Sequence, residues 1–244
     1  MHVLNLKTKS FASNYVATEL LKLFKKNSKS VVGLATGDTM LEVYQNLRIL
    51  LNENNIDLSE IITFNLDEYV GLKASHKQSY NHYMHNLLFN HNDTWNEANI
   101  HIPNGAEKNL YQSALDYEQK LTDLGPIDIQ ILGIGQNGHI GFNEPGTSFD
   151  STTRIVNLTE STINANSIHF NTHEKIPNQA ISMGLDSIMR AKRIILLAFG
   201  ENKIEPIKRL LTESVSESLP ASILHKHPNV EVIVDETIFS KLKY

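Results

Sequence analysis

The chain has 244 residues and a formal net charge of -5, with 41% hydrophobic and 20% charged residues and no cysteine. No Pro/Gly/Ser-rich linker or shift in composition divides it, so residues 1–244 are expected to form a single domain. The composition excludes disulfides and thiol chemistry, offers no Lys/Arg block for nucleic acid, and contains no apolar run of membrane-spanning length.

Met1 to Ser10 alternates polar and apolar residues, unlike the apolar core of a signal peptide, so a cytoplasmic location is expected. Phe11 to Lys26 carries Val16, Leu20, Leu23 and Phe24 at helical spacing, with lysines gathering at its end. Ser30 to Ala35 reads as a short buried strand, Thr36-Gly37-Asp38-Thr39 as a connection, and Met40 to Leu51 as a helix. The strand Ile61 to Leu66 is expected to stop at Asp67-Glu68-Tyr69. Helices follow over Tyr80 to Leu88 and Glu107 to Leu124, and then an Ile-rich strand from Ile127 that ends at Gly133. Later strands are predicted at Ala180 to Met183, Ile194 to Phe199 and Val230 to Val234, and helices at Lys203 to Leu211 and Pro220 to Leu224. Strands alternating with helices imply an α/β, three-layer Rossmann-like fold, with a mostly parallel sheet covered on both faces. Thr147 to Lys175, poor in strand signals, is expected to act as a lid.

Three strand ends carry residues suited to chemistry. Gly133, Gly135, Gly138 and Gly141 surround His139, with Asn137, Asn143 and Glu144 beside it. Glycines at such an edge let backbone approach a ligand, and open α/β sheets bind small molecules there. A carboxylate bonded to one imidazole nitrogen fixes the tautomer and leaves the other nitrogen to move a proton. The plainer alternative is a loop histidine bonded to backbone. Asn137 and Asn143 would be orienters or hydroxyl readers.

Thr36-Gly37-Asp38-Thr39 lies between a strand and a helix, so it reads either as a phosphate cradle or as a turn in which Asp38 or Thr39 caps the helix. Asp67 and Glu68 follow a buried strand. They read as a base able to remove a proton beside a carbonyl or imine, or as a helix cap or surface turn. His82, His85, His91, His225 and His227 lack ligand spacing, so no metal is expected. No Gly-x-Ser-x-Gly elbow supports a serine nucleophile.

Taken together, Thr63 to Leu72, Gly133 to Pro145 and Leu34 to Gly37 resemble the glucosamine-6-phosphate deaminases. The likeness runs through Ser79-Tyr80, Met84 and Arg154 to Gly200-Glu201-Asn202-Lys203 and covers nearly the whole chain. The resemblance implies conversion of glucosamine 6-phosphate and water to fructose 6-phosphate and ammonia in amino sugar catabolism, without metal or organic cofactor. It also implies that Asp67 is the enolisation base, His139 the ring-opening acid/base and Glu144 its carboxylate partner. Asn137 matches a position where some members carry aspartate, which leaves the relay one charge fewer. Thr36, Gly37 and Thr39 match the phosphate loop, and Lys203 the basic residue facing the same phosphate. The implied partner is a small phosphosugar, with no nucleic acid and no membrane.

Two departures stand out. Many members carry an arginine where this chain has Ile168, followed by His169, and Ile168 cannot replace a guanidinium in a phosphate grip. The sequence stops at Tyr244, without the carboxyl-terminal extension of regulated hexameric members, and Val156 stands at a lysine position. Weak or absent activation by N-acetylglucosamine 6-phosphate is therefore expected, in a monomer or small homo-oligomer. Alternatives to the deaminase are a phosphosugar lactonase, such as 6-phosphogluconolactonase, and a non-catalytic phosphosugar sensor. The Asp67-Glu68-Tyr69 motif favours the deaminase over the first. The lack of room for a helix-turn-helix segment before the first strand favours it over the second.

Overall fold

The computed structural model describes residues 1–167, 170, 174 and 176–242, and the side chains of these apart from 165–167. In chain order its strands are β1 (His2–Asn5), β2 (Val31–Leu34), β3 (Ile62–Asn65), β4 (Asp67–Tyr69), β5 (Ile100–His101), β6 (Ile129–Gly133), β7 (Arg154–Asn157), β8 (Gln179–Ser182), β9 (Ile194–Ala198) and β10 (Val230–Val234). Its α-helices are α1 (Lys9–Lys26), α2 (Leu41–Glu53), α3 (Tyr80–Leu87), α4 (Leu110–Leu124), α5 (Glu160–Ser167), α6 (Leu185–Met189), α7 (Ile204–Thr212) and α8 (Glu236–Phe239).

Seven strands form a parallel sheet in the order β1-β10-β9-β6-β2-β3-β5. Its centre is made of apolar runs buried on both faces. All five residues of β9 are buried, and Val32, Ile131 and Leu132 are fully enclosed. Each such side chain contributes roughly 1.5–3 kcal/mol through burial. Helices cover the two faces. α1 packs on α2 and α2 on α3, while Glu118 of α4 bonds Ser187 of α6. With parallel crossovers right-handed, as they almost always are, the two groups cover opposite faces. The stripe Ala12, Val16, Leu20 and Phe24 is the buried side of α1, and Thr8 caps its start by accepting from Phe11 N. None of the helices described is long and apolar enough to cross a membrane.

The chain leaves β2 toward β3 and leaves β6 toward β9, in opposite directions along the sheet. A crevice opens where two neighbouring strands part in this way, at their carboxyl ends. The residues after β2, β3, β6 and β9 therefore converge there.

The structure departs from the sequence reading in several places. The strand at Ile62–Asn65 does not simply stop at Asp67. After Leu66 the chain enters β4, which pairs antiparallel with β8, and β8 pairs antiparallel with β7. The predicted strand Ala180 to Met183 thus belongs to this second sheet, outside the parallel one. The amino terminus supplies an edge strand, β1, paired with β10. The stretch 147–175 holds β7, which pairs with β8, and α5. Ile168 and His169 lie outside the described residues.

Candidate active site

The crevice is a cleft of about 520 Å³ lined by Thr36, Gly37, Thr39, Asp67, Asn137, His139 and Lys203 together with Tyr80, Ser161 and Thr162. The residues to which the resemblance gives a role therefore face one space, except Glu144, which sits buried behind His139; Asp38, Glu68 and Asn143 do not line it.

Asp67 opens β4 at the point where the main sheet gives way to the small one. It is 6% exposed, and no hydrogen bond to its carboxylate is found among the described residues. Burial pushes its carboxyl up to about 8, and the adjacent Glu68 charge adds to the rise. Such a group gains much by taking a proton, as a base does.

Glu68 behaves differently. Successive strand residues face opposite ways, and its carboxylate turns under α3 to accept the amides of Tyr69 at 2.9 Å, Tyr80 at 3.0 Å and Asn81 at 2.9 Å. Burial raises it to about 7, against the lowering pull of those amides. The plainer reading thus holds for Glu68, which caps a helix, and its position is buried.

His139 is held by its loop. Its amide donates to Asn137 Oδ1 at 3.2 Å, and its carbonyl accepts Gly135 N at 2.9 Å. Gly135 is required for space: a Cβ there would lie 2.3 Å from the imidazole Cε1. His139 Nδ1 is 3.4 Å from Glu144 Oε2, a charge-pair distance. Nδ1 is buried and has no hydrogen-bond partner among the described residues, so this contact stops short of a formed hydrogen bond. Catalytic contacts in unliganded enzymes often tighten only when substrate binds.

Glu144 has further support. Asn137 Nδ2 donates to Oε2 at 2.6 Å, and the Thr162 and Thr159 hydroxyls reach Oε1. Burial alone would raise its carboxyl, but His139, Thr162 and Asn137 outweigh it and hold it at about 2. Asn137 is therefore a donor to the relay. Asn143 is fully buried, donates to the Ile140 and Met183 carbonyls and accepts Arg154, so it orients the loop and reads no ligand hydroxyl.

In the Thr36–Thr39 loop, Gly37 has φ +101°, which a side chain would strain. Neither Asp38 nor Thr39 caps α2. Its N-cap position is Met40, which makes no side-chain cap, and among the described residues no side chain bonds the helix start. The loop carbonyls are instead taken by protein donors: Ala35 by Tyr44, Gly37 by Tyr83 and Met40 N, and Asp38 by Lys9. The uncapped first turn of a 13-residue helix, with two threonines beside it, suits an anion. Lys203 comes from the turn after β9. Its Nζ donates to the Ile134 carbonyl at 2.7 Å, and burial lowers its pKa. Among the described residues it forms no ion pair, so its charge is available to a ligand.

Tyr80, Ser161 and Thr162 were not read as site residues from sequence. Ser79, which caps α3 through His82 N, marked the helix start next to Tyr80. Thr159 and Thr162 carry the spacing of a helix cap, and Thr162 N does bond Thr159 Oγ1. Neither signal says what the helix faces.

The family described as glucosamine-6-phosphate isomerases/6-phosphogluconolactonase matches residues 7–234. A Staphylococcus haemolyticus protein named glucosamine-6-phosphate deaminase is 61% identical over 242 residues, 99% of this chain and 100% of that one. A Staphylococcus saprophyticus protein of the same name is 54% identical over 99% of this chain and 100% of its own. A solved structure described as a monomeric glucosamine-6-phosphate deaminase superposes with a TM-score of 0.95 at 41% identity, over 99% of this chain and 100% of that one. The 6-phosphogluconolactonase of Trypanosoma brucei shares the fold alone, with a TM-score of 0.79 at 18% identity over 99% of this chain and 98% of that one. By the extent of these matches, the chain belongs to the glucosamine-6-phosphate isomerase/6-phosphogluconolactonase family.

Proposed function

We propose that the protein is a glucosamine-6-phosphate deaminase, converting D-glucosamine 6-phosphate and water to D-fructose 6-phosphate and ammonia. The observation that carries this reading is the pairing, in one cleft, of a desolvated carboxylate, Asp67, with a carboxylate-backed imidazole, His139. The substrate phosphate sits on the Thr36-Gly37-Thr39 loop at the start of α2, opposite the Lys203 ammonium. That anchor fixes the sugar in register, and positioning of this kind supplies much of the rate.

His139 takes the proton of the C1 hydroxyl and delivers it to the ring oxygen as the C1–O5 bond breaks, leaving the open-chain aldehyde. Asp67 then removes the C2 proton, and the C–H electrons form the C1=C2 bond while the C1 oxygen is protonated. Asp67 returns the proton to C1, which gives the C2 imine. Water adds at C2 and ammonia departs. Glu144 and Asn137 hold His139 in position for the first step. No step requires a metal or an organic cofactor. The segment 147–175, whose Ser161 and Thr162 line the cleft, acts as its lid. The enzyme works as a monomer or small homo-oligomer in the cytoplasm.

Incubation with glucosamine 6-phosphate tests the reading, with ammonia and fructose 6-phosphate quantified together. Equal amounts of both are expected. No ammonia here, with hydrolysis of 6-phosphogluconolactone in a parallel assay, would select a lactonase, and tight binding without turnover a sensor.

A further inference from the structure

The two oxygens of Glu144 are held from two different parts of the chain. Oε2 faces Asn137 and His139, both in the loop after β6. Oε1 faces Thr159 and Thr162, both at the start of α5. The terminal torsion of a glutamate is broad, so the side chain does not set the plane of its own carboxylate. Only donors at both oxygens set it. The contact from His139 Nδ1, already 3.4 Å long, depends on that plane.

The two threonines do not share the task equally. A hydroxyl has one proton to donate. Thr159 accepts Thr162 N as the cap of α5, and its proton has three acceptors in reach: Ser161 Oγ at 3.0 Å, Thr162 Oγ1 at 3.1 Å and Glu144 Oε1 at 3.2 Å. Thr162 is 6% exposed, and its hydroxyl donates to Glu144 Oε1. It is the dedicated donor at that oxygen. The residue before it, Ser161, lines the cleft, so the helix that aims Glu144 also forms part of the wall a ligand touches.

We infer that Thr162 is a positioning residue for ring opening, aiming Glu144 at His139 and tying that aim to the placement of α5 against the bound sugar. This inference rests on the deaminase reading. It assigns to α5 a part in the chemistry that its place at the cleft edge alone does not require.

Two variants test it. Thr162→Val keeps the shape and removes the hydroxyl, and Thr162→Ser keeps the hydroxyl. With glucosamine 6-phosphate, Thr162→Val is expected to lose about tenfold in kcat, the effect of roughly one lost charge-assisted hydrogen bond, with KM within about twofold. Thr162→Ser should stay within about twofold of wild type in both. Deuterium exchange at C1 of fructose 6-phosphate in the presence of ammonium needs the base but no pyranose opening, and should be unchanged in both variants. The Glu144 carboxyl, followed by 13C NMR, should titrate higher in Thr162→Val than in wild type. Full activity in Thr162→Val would overturn the inference. So would an equal loss of turnover and exchange, which marks general structural damage, or a failure of Thr162→Ser to restore turnover. Wild-type protein that releases no ammonia would instead sink the deaminase reading itself, and this inference with it.

Discussion

Asp67 and Glu144 are both buried carboxylates at the carboxyl edge of one sheet, yet their surroundings drive them apart. Asp67 stands at the start of β4 with no donor to its oxygens among the described residues, and burial takes it up to about 8. Glu144 lies in the loop after β6 with donors at both oxygens and is held at about 2. The difference comes from hydrogen bonds more than from depth, because burial acts upward on both. A carboxylate left without donors takes protons; one surrounded by donors stays charged and steers its neighbour. Such divergence assigns separate roles to two chemically similar groups.

The largest expected effect comes from removing the first of the pair. Asp67→Asn should lower ammonia release by about 10⁴-fold or more, at the upper end of what a general base supplies, while equilibrium binding of substrate persists. In wild type, activity should rise with pH as Asp67 ionises, so the acid limb of kcat/KM should fall near the value of about 8 for the free protein. A limb near pH 4 would contradict the desolvation described for this site.

Next in size is His139→Gln, expected to cost about 10²–10³-fold on the cyclic substrate. Exchange at C1 of fructose 6-phosphate should survive it, and equal losses in both assays would remove the ring-opening role. A related effect is expected for Gly135→Ala, whose new Cβ meets the imidazole at 2.3 Å, and the loss should appear in kcat rather than in phosphate affinity.

Asn137→Asp sharpens the comparison more gently. The donor now 2.6 Å from Glu144 Oε2 becomes a like charge, so the Glu144 carboxyl should titrate above its present value of about 2. Carboxyl 13C shifts measure this directly, and an unmoved titration would show that Asn137 does not support Glu144.

The smallest effects are on stability, and their signs oppose each other. The folded pKa of Asp67 is raised, so this group lowers stability progressively as pH rises from roughly 4, the ordinary carboxylate value, to about 8. Asp67→Asn should therefore be more stable relative to wild type at pH 9 than at pH 5. The folded pKa of Glu144 is depressed, so its contribution is present above roughly pH 4 and is lost as pH falls toward about 2. Denaturant unfolding of Asp67→Asn and Glu144→Gln across pH checks both slopes.

The two carboxylates also differ in how far the sequence revealed them. The strand ends that carry Thr36, Asp67, His139 and Lys203 could be read because buried parallel strands leave long apolar runs, and the residues just after them stand out. The contrast in environment could not be read that way. Whether a donor reaches Asp67 depends on β4 leaving the parallel sheet to pair with β8, a partner more than a hundred residues away that no local pattern announces. The support of Glu144 by Thr162 joins a loop to a helix start across eighteen positions, where there is no periodicity to follow. Glu68 shows the same limit from the other side: two adjacent acids look alike in a sequence, and only the course of α3 makes one of them a cap. β5, of two residues, was too short to register as a strand, and β1, only partly buried, lacks the enclosed apolar run that marks β2 at the same length.

The division of labour between the two carboxylates is tested most directly by deuterium exchange at C1 of fructose 6-phosphate in D2O with ammonium, comparing wild type, His139→Gln and Asp67→Asn. Exchange should persist in His139→Gln and be absent in Asp67→Asn. Exchange at an undiminished rate in Asp67→Asn would show that another group moves the proton and would contradict the assignment.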